Sequence, residues 1–331
     1  MIANTFRQLP QGRRSFLIGA GLAAATLPLL TAGEAEADTG SLSPPYNKQF
    51  DSAEGMLDTY IKLSGDTSGR NYGGFYSGHA FAWVPGQMIQ PLFGFTGFGL
   101  GSDHKQKDGS FQHIWHEVGF YTDLKTGAVL ETWDNPLNGV KCEVMPISNR
   151  SVNLTFRPQE PDPVAMAKYG FHLLNDNFAD AGDPARPYGL PYTVIGDQLS
   201  LFADSVGVVP NPLDPAVWKR ESGGKTISVG EFFMVTGSRR AALDPAITNV
   251  PCTGSWTRLG PYLPWMLMGQ APGHLFYRSA TKKISGPADL PRSLVAVTQQ
   301  KFPAFLEFPT DFSLPIENSW DVYKRTHTPQ A

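Results

Sequence analysis

The chain has 331 residues, of which 41% are hydrophobic and 17% charged, a composition that excludes a disordered tail and allows a large buried core. Its net charge is −3, which excludes the basic character expected of a nucleic-acid-binding domain. The 34 Gly, 28 Pro and 12% aromatic residues favour turns and extended segments over long helices, so the sequence predicts a mainly β fold.

Residues 1–37 have the pattern of an export signal. The pair Arg13-Arg14 precedes a moderately apolar stretch, and the small-residue sequence AEA comes directly before Asp38. The apolar stretch is about fifteen residues, shorter than the roughly 20 needed to cross a bilayer. We therefore predict a twin-arginine signal peptide, passage through the twin-arginine export machinery, cleavage before Asp38 and a periplasmic location.

The mature chain begins with an arm and a helix. Residues 38–49 are rich in Pro and Ser and predict an N-terminal arm, while residues 50–331 predict a single β-rich catalytic or binding domain. Asp51 and Glu54 form a capping pattern in front of an apolar periodicity that closes at Gly65. That pattern predicts a short amphipathic helix.

Short aromatic and β-branched runs, separated by Gly, Pro, Asn and Asp, then follow one another along the chain. This rhythm is typical of an antiparallel meander, and it predicts an antiparallel β-barrel of the lipocalin or calycin type with a few short helices. The sequence TDLKTG at 122–127 predicts a hairpin turn that pairs residues 111–121 with 128–133. Residues 288–301 predict a helix that packs against the sheet as a lid or plug.

The run FQHIWHEVGFY at 111–121 places ionisable groups among aromatic rings. Because side chains of a strand alternate between its faces, His113 and His116 point in opposite directions, which argues against a metal ion shared by them. In a barrel, the face with His113 and Glu117 would line a cavity. A carboxyl group enclosed by rings has its pKa raised by desolvation, which suits acid/base catalysis. The alternative is that Glu117 binds an arginine or a backbone amide and only stabilises the barrel.

Other segments offer further candidates, each with a packing alternative. Arg258 lies in an aromatic stretch where it could hold a phenolate or carboxylate, although the stretch equally suits a core. His79 shares a strand face with Phe75 and Phe81, so a buried structural histidine competes with a site residue. For Glu231 as well, the sequence allows either a buried structural residue or a site residue.

Cysteine usage and motifs narrow the chemistry. Cys142 and Cys252 are the only cysteines, and the sequence leaves a disulfide and two free thiols both open. The lack of a CxxC pair argues against an iron–sulfur cluster or structural zinc, and we predict no metal and no cofactor. No G-x-S-x-G pattern supports a serine hydrolase, and Gly97-Phe-Gly99-Leu-Gly101 lacks the helix that a nucleotide-binding loop requires.

Five short segments carry a resemblance to a known family: Glu117-Val-Gly-Phe-Tyr-Thr-Asp123, Thr126-Gly127, Trp133-Asp-Asn-Pro136, Pro264-Trp-Met-Leu-Met-Gly269 and Pro272-Gly273. Together they resemble the bacterial exported proteins catalogued as domain of unknown function 1838, over residues 50–320. Leu124 stands where the family pattern has Pro. The resemblance implies a link to bacterial breakdown of lignin-derived aromatic dimers, including lyases that release a hydroxymethyl group as formaldehyde without metal or nucleotide.

Our preferred hypothesis is a cofactor-independent carbon–carbon lyase for a small phenolic aromatic substrate. In it, Glu117 or a histidine removes a hydroxyl proton, and Arg258 and Tyr121 stabilise a phenolate. A lipocalin-like carrier of an apolar small molecule and a structural envelope protein with a filled barrel are the alternatives, and homo-oligomerisation is left open. The predicted catalytic residues are Glu117, His113, Tyr121 and Arg258, and the predicted substrate-binding residues are Trp115, Trp133, Trp256, Trp265, Met268, Tyr277 and His79.

Overall fold

The computed structural model describes residues 53–156 and 192–330, all of which belong to one compact unit. The predicted signal peptide at 1–37, the arm at 38–49 and the capping residue Asp51 lie outside the described residues. No helix within the described ranges is long and apolar enough to cross a membrane.

The described part of the chain is mainly β, as predicted, and its centre is an antiparallel sheet of nine strands. The strands in chain order are β1 (Tyr72–Trp83), β2 (Gln90–Lys105), β3 (Phe111–Thr122), β4 (Thr132–Asp134), β5 (Lys141–Glu143), β6 (Ile147–Phe156), β7 (Tyr192–Ile195), β8 (Gln198–Pro210), β9 (Thr226–Ser238), β10 (Cys252–Gly260) and β11 (His274–Ile284). The large sheet has the order β6-β3-β2-β1-β11-β10-β9-β8-β7, and β4 pairs with β5 separately. In the described residues β6 and β7 are edges that do not pair, so barrel closure stays a prediction.

Helices flank the sheet. They are α1 (Ala53–Ser64), α2 (Arg239–Leu243), α3 (Arg292–Lys301) and α4 (Ser319–Thr326), with single 3₁₀ turns at Pro264–Met266, Pro287–Asp289 and Pro303–Leu306. The helix predicted from the apolar periodicity before Gly65 is confirmed as α1, whose apolar face is fully buried. The helix predicted at 288–301 is confirmed as α3, preceded by a 3₁₀ turn.

The two faces of the sheet bury different core clusters. The inner face, which carries Phe95 and Tyr277, packs at one end against the loops around β4, β5 and Pro264–Met266. At its other end it packs against α1. The outer face packs against α3 and Pro303–Leu306.

The sheet curves strongly around its inner face. Phe111 of β3 packs in one cluster with Leu199 and Leu201 of β8, although these strands are second and eighth in the order of the sheet. Side chains of distant strands meet in this way only if the sheet coils, as twisted sheets do.

The pairing predicted for residues 111–121 was wrong beyond its turn. The turn itself forms, since Asp123 Oδ1 accepts from the Thr126 N–H at 2.8 Å and Gly127 has a φ of 70°. A single bridge then joins Thr122 to Val129, and β3 instead pairs along its length with β2 and β6. The reason is that the chain departs from the large sheet after Val129 and forms β4 and β5. The edge of β3 is therefore free, and β6 pairs with it.

Two segments that carry the family resemblance are tied together at one end of the inner face. Asn135 is buried and donates through Nδ2 to the Met266 carbonyl at 2.8 Å, while Asn138 Nδ2 donates to the Leu267 carbonyl at 3.0 Å. Leu267 adopts a left-handed φ of 55°, a conformation unusual for a branched residue. These bonds hold the loop over the end of the sheet.

Both cysteines are free thiols. Cys142 is buried in the cluster at the β4–β5 end, and Cys252 packs beside the cluster that contains α1. The alternative that the sequence left open is therefore resolved in favour of two separate thiols.

Candidate functional site

Glu117 lies on the inner face of β3, where its carboxylate meets neutral partners. Asn149 of β6 stands opposite it in the strand pairing and donates through Nδ2 to Glu117 Oε2 at 2.9 Å. Burial raises the pKa of Glu117, while the Asn149 hydrogen bond and the Tyr76 hydroxyl act in the opposite direction. A titratable carboxyl group thus sits inside the fold.

The space around Glu117 depends on two glycines. Gly97 and Gly119 face each other across β2 and β3, and a Cβ at either position would collide with the Tyr76 hydroxyl. Their missing side chains allow the Tyr76 ring to reach across the sheet toward Glu117. Burial, followed by the nearby Glu117 charge, raises the pKa of Tyr76, so its hydroxyl stays protonated.

Tyr121, Tyr277 and Arg258 form the neighbouring part of the inner face. Both tyrosines are buried; burial raises the pKa of Tyr277 to about 12, and the charge of Arg258 lowers it in part. Arg258 Nη1 lies 3.4 Å from Glu231 Oε1, and these two side chains remain 31% and 26% exposed. Arg258 also lowers the pKa of Glu117, whereas Glu231 raises it. The ion pair therefore leaves a weak net field at Glu117.

Two buried donors in this region make no hydrogen bond within the described part of the chain. They are the Tyr76 hydroxyl and Trp256 Nε1. Tyr76 is close enough to Glu117 for the two groups to affect each other's pKa, although the Tyr76 hydroxyl makes no hydrogen bond with it. An unpaired buried donor costs about 1–3 kcal/mol, so such donors are typical of sites that receive a polar ligand or water.

Phe95 connects the two donors. Its ring centroid lies 5.9 Å from that of Tyr76, 6.0 Å from that of Trp256 and 5.5 Å from that of Tyr277. Glu117, Tyr76 and Trp256 all keep intermediate exposure although they face the inside of the curved sheet. We call Glu117, Tyr76, Asn149, Tyr121, Tyr277, Arg258, Glu231 and Trp256 the inner polar cluster.

His113 belongs to a different group on the same face. Its Nδ1 lies 2.7 Å from Oδ1 of Asp103, which is completely buried, and its ring stacks on Trp115 and contacts Phe156. Nearby, Lys283 Nζ donates to the Lys62 and Gly65 carbonyls at 2.8 and 2.9 Å and so caps the end of α1. Four residues along a strand separate His113 from Glu117 by about 13 Å, so the structure does not bring them together.

The remaining predicted residues divide between the core and the outer surface. Trp133 and Trp265 pack with Phe93 and Tyr121 at the β4–β5 end, with centroid distances of 5.3 to 5.8 Å. Met268 contacts Asn135 Nδ2 through its sulfur, in the same closing loop. Trp115 covers Gly99 on the inner face between Glu117 and His113.

His79 and His116 face outward. His79 is exposed, lies opposite Arg278 and has no place in the inner polar cluster, because β1 turns its odd-numbered residues away from the interior. His116 stacks on Phe305 at 4.7 Å, and burial lowers its pKa to about 4, which keeps it neutral. The expectation that His113 and His116 point in opposite directions is confirmed.

Tyr76 and Asn149 were missed by the sequence analysis. Tyr76 shares its face of β1 with Gly74 and Gly78, which gave no aromatic pattern. The aromatic pattern of β1 includes His79 and Phe81, which lie on the opposite face. Asn149 could not be found because it meets Glu117 only through the pairing of β3 with β6, and the sequence had instead predicted a pairing of residues 111–121 with 128–133. No group of three or more His, Cys, Asp or Glu in residues 53–156 and 192–330 is placed to hold a metal ion.

A separate cleft of about 180 Å³ lies on another part of the molecule. Its lining includes Glu221, Tyr262, Met268 and His274, and it shares no residue with the inner polar cluster. The Glu221 carboxylate is already bound there by the Gln330 N–H at 2.7 Å. The unpaired donors and the titratable carboxyl group favour the inner polar cluster as the candidate site.

The sequence profile of a family described as "Protein of unknown function (DUF1838)" matches residues 72–327. No curated protein matches the chain. The matched residues include every strand of the sheet and all of the inner polar cluster.

Proposed function

Because the chain belongs to the family described as "Protein of unknown function (DUF1838)", whose description names no activity, we propose its function from the geometry of the inner polar cluster. The proposal is a cofactor-independent carbon–carbon lyase that acts on a phenolic aromatic compound of the lignin-derived dimer type. Glu117 is its base, and formaldehyde is one product.

One observation carries the proposal: the Glu117 carboxyl group lies inside the fold, is bound by an amide rather than a cation, and has a pKa raised by burial. A direct ion pair with a cation would lower the pKa and hold the carboxylate in place. A neutral partner leaves Glu117 able to exchange a proton nearer neutral pH, where a general base is most effective. Tyr76 supplies a neutral hydroxyl beside it, and Tyr121 lies near enough for the Glu117 charge to affect its pKa.

The proposed reaction starts at a hydroxymethyl group of the substrate. Glu117 takes the hydroxyl proton, and the O–H electron pair becomes part of the C=O bond of formaldehyde. The electrons of the broken C–C bond form a C=C bond to the next carbon, whose own hydroxyl group takes a proton from solvent and leaves as water, and Glu117 then returns its proton to solvent. Arg258 and Tyr121 stabilise the negative charge of a phenolate ring during this step.

Closure of the sheet into a barrel is part of the proposal. Phe111 and Leu199 belong to one core cluster, and Phe156 and Tyr192 both pack against it, which supports closure because these residues come from opposite ends of the sheet. The Arg13-Arg14 pattern supports export to the periplasm. The alternative of a carrier uses the same ring-lined space without reaction.

The test uses the mature chain from Asp38 and phenolic dimers that carry a hydroxymethyl group. Formaldehyde and the aromatic product are followed over time for the wild type, Glu117→Gln and the exposed control Glu143→Gln. The proposal expects turnover in the wild type and the control, and none in Glu117→Gln. Ligand that binds and is recovered unchanged from all three proteins would identify a carrier instead.

A further inference from the structure

The side chain of Asn149 connects Glu117 to the first turn of α4. Its Nδ2 donates to Glu117 Oε2 at 2.9 Å. At its other end, Asn149 Oδ1 accepts from the backbone N–H of Ser319 at 2.9 Å and from Ser319 Oγ at 3.0 Å. A continuous series of hydrogen bonds therefore runs from β3 through β6 to α4.

The two donors of Ser319 determine which way the Asn149 amide faces. A backbone N–H can only donate, so the atom that it meets is the amide oxygen, and the NH₂ group must point to Glu117. Ser319 Oγ accepts from the Ser148 N–H at 3.1 Å, and its own proton has two acceptors, Asn149 Oδ1 at 3.0 Å and the more distant Ser148 carbonyl at 3.4 Å. Since an NH₂ group can only donate, Glu117 Oε2 is always an acceptor at this contact.

The position of Ser319 strengthens this orientation. It is the first residue of α4, whose N-cap Asn318 forms a capping box with Asp321. The Ser319 N–H has no partner inside the helix, and it belongs to the positive end of the helix dipole. Donation from that end polarises the Asn149 amide and so strengthens its bond to an ionised Glu117.

From this arrangement we infer that Asn149 is a positioning residue, held by Ser319, which keeps Glu117 Oε2 as an acceptor and leaves Oε1 to exchange the proton of the substrate. A proton on Oε2 would face the protons of the NH₂ group, so the proton goes to Oε1. The inference rests on the proposed role of Glu117 as the base and names a group that acts through it.

The experiment measures the titration of Glu117 itself as well as turnover. The mature protein is labelled with ¹³C at the glutamate carboxyl groups, and the Glu117 signal is assigned by its loss in Glu117→Gln. The variants are Asn149→Ala, Ser319→Ala and the matched control Asn249→Ala, whose Nδ2 donates to Asp66 Oδ2 at 3.3 Å far along the sequence. Circular dichroism and thermal melting check that each variant is folded.

We expect the Glu117 pKa to rise in Asn149→Ala, to rise less in Ser319→Ala because the backbone N–H remains, and to stay unchanged in Asn249→Ala. The acid limb of the kcat/KM profile should move in the same direction, and turnover at neutral pH in Asn149→Ala should fall about tenfold, as for a lost hydrogen bond to a charged group. Should Asn149→Ala fail to fold, Ser319→Ala provides the test.

The outcomes separate this inference from the proposed function. An unchanged Glu117 titration in folded Asn149→Ala, or in Ser319→Ala if the former does not fold, overturns the positioning role, even if turnover requires Glu117. A raised Glu117 pKa without any lyase activity in the wild type supports the positioning role and contradicts the proposed function.

Discussion

Two inward-facing acidic residues on neighbouring strands have opposite surroundings. Asp103 of β2 is completely buried and bound to the His113 ring at 2.7 Å, in a packed region next to α1. Glu117 of β3 is bound to a neutral amide and keeps intermediate exposure on the inner face. The difference shows that the partner and the packing, rather than the carboxyl group, separate a structural acid from a candidate base.

The largest expected effect that follows from this contrast is the loss of turnover in Glu117→Gln. Gln keeps the shape and can still contact Asn149 and Tyr76, but it cannot accept a proton. Loss of a general base lowers kcat by about 10²- to 10⁴-fold, which formaldehyde release under saturating substrate measures. A variant with wild-type kcat would remove Glu117 from the mechanism.

Asp103→Asn should have the next largest effect, on stability instead of turnover. It breaks the charge-assisted contact with His113 in a buried place, and we expect the free energy of unfolding to fall by about 2–3 kcal/mol, as measured by denaturant titration. Turnover per folded molecule should stay within a factor of two to three of the wild type, within the range where no reacting group has been lost. Stable Asp103→Asn with no turnover would reverse the roles of the two acids.

Tyr76→Phe sharpens the comparison, because it removes a buried hydroxyl that has no hydrogen-bond partner in the described residues. Stability should be unchanged or slightly higher, since a desolvated donor without a partner disappears. If the hydroxyl meets the substrate, kcat/KM should fall by about tenfold, the value of one hydrogen bond. Thermal melting and kinetics on the same preparation check both parts. A marked loss of stability would instead mean that the hydroxyl is part of the packing.

The smallest expected effect is a pH-dependent difference in melting temperature. The folded chain raises the pKa of Glu117 above its ordinary 4.5, so folding favours the protonated group. The stability contribution of Glu117 is then fully present below pH 4.5 and is lost as the pH rises through the folded pKa. Glu117→Gln resembles the protonated state at every pH and should melt higher than the wild type at pH 8, with no difference at pH 4. An equal difference at both values would contradict a raised pKa.

The elements of the fold were largely readable from the sequence. Alternation within 111–121 gave the opposite faces of His113 and His116, and the apolar periodicity before Gly65 gave α1. The register of the sheet was not readable, because a turn at 122–127 fixes the local fold of the chain but not which strand takes the free edge of β3. Only the pairing of β3 with β6 places Asn149 beside Glu117.

Only part of the candidate site could be predicted from the sequence, because the sequence indicates individual residues but not the strand pairing that brings them together. Glu117, Tyr121 and Arg258 could be found because each is an ionisable group among aromatic residues. Tyr76 could not, since its importance depends on Gly97 and Gly119 across the sheet, where missing side chains make room for its ring. His79 has equally aromatic neighbours in sequence, but the face of β1 that carries it is turned outward.

The most direct measurement is the carboxyl titration of Glu117 in the wild-type protein. The account predicts a Glu117 pKa clearly above its ordinary 4.5 and a further change of its signal when a phenolic dimer is added. A Glu117 pKa at or below 4.5, unaffected by the ligand, would contradict the claim that this carboxyl group is the base of an active site.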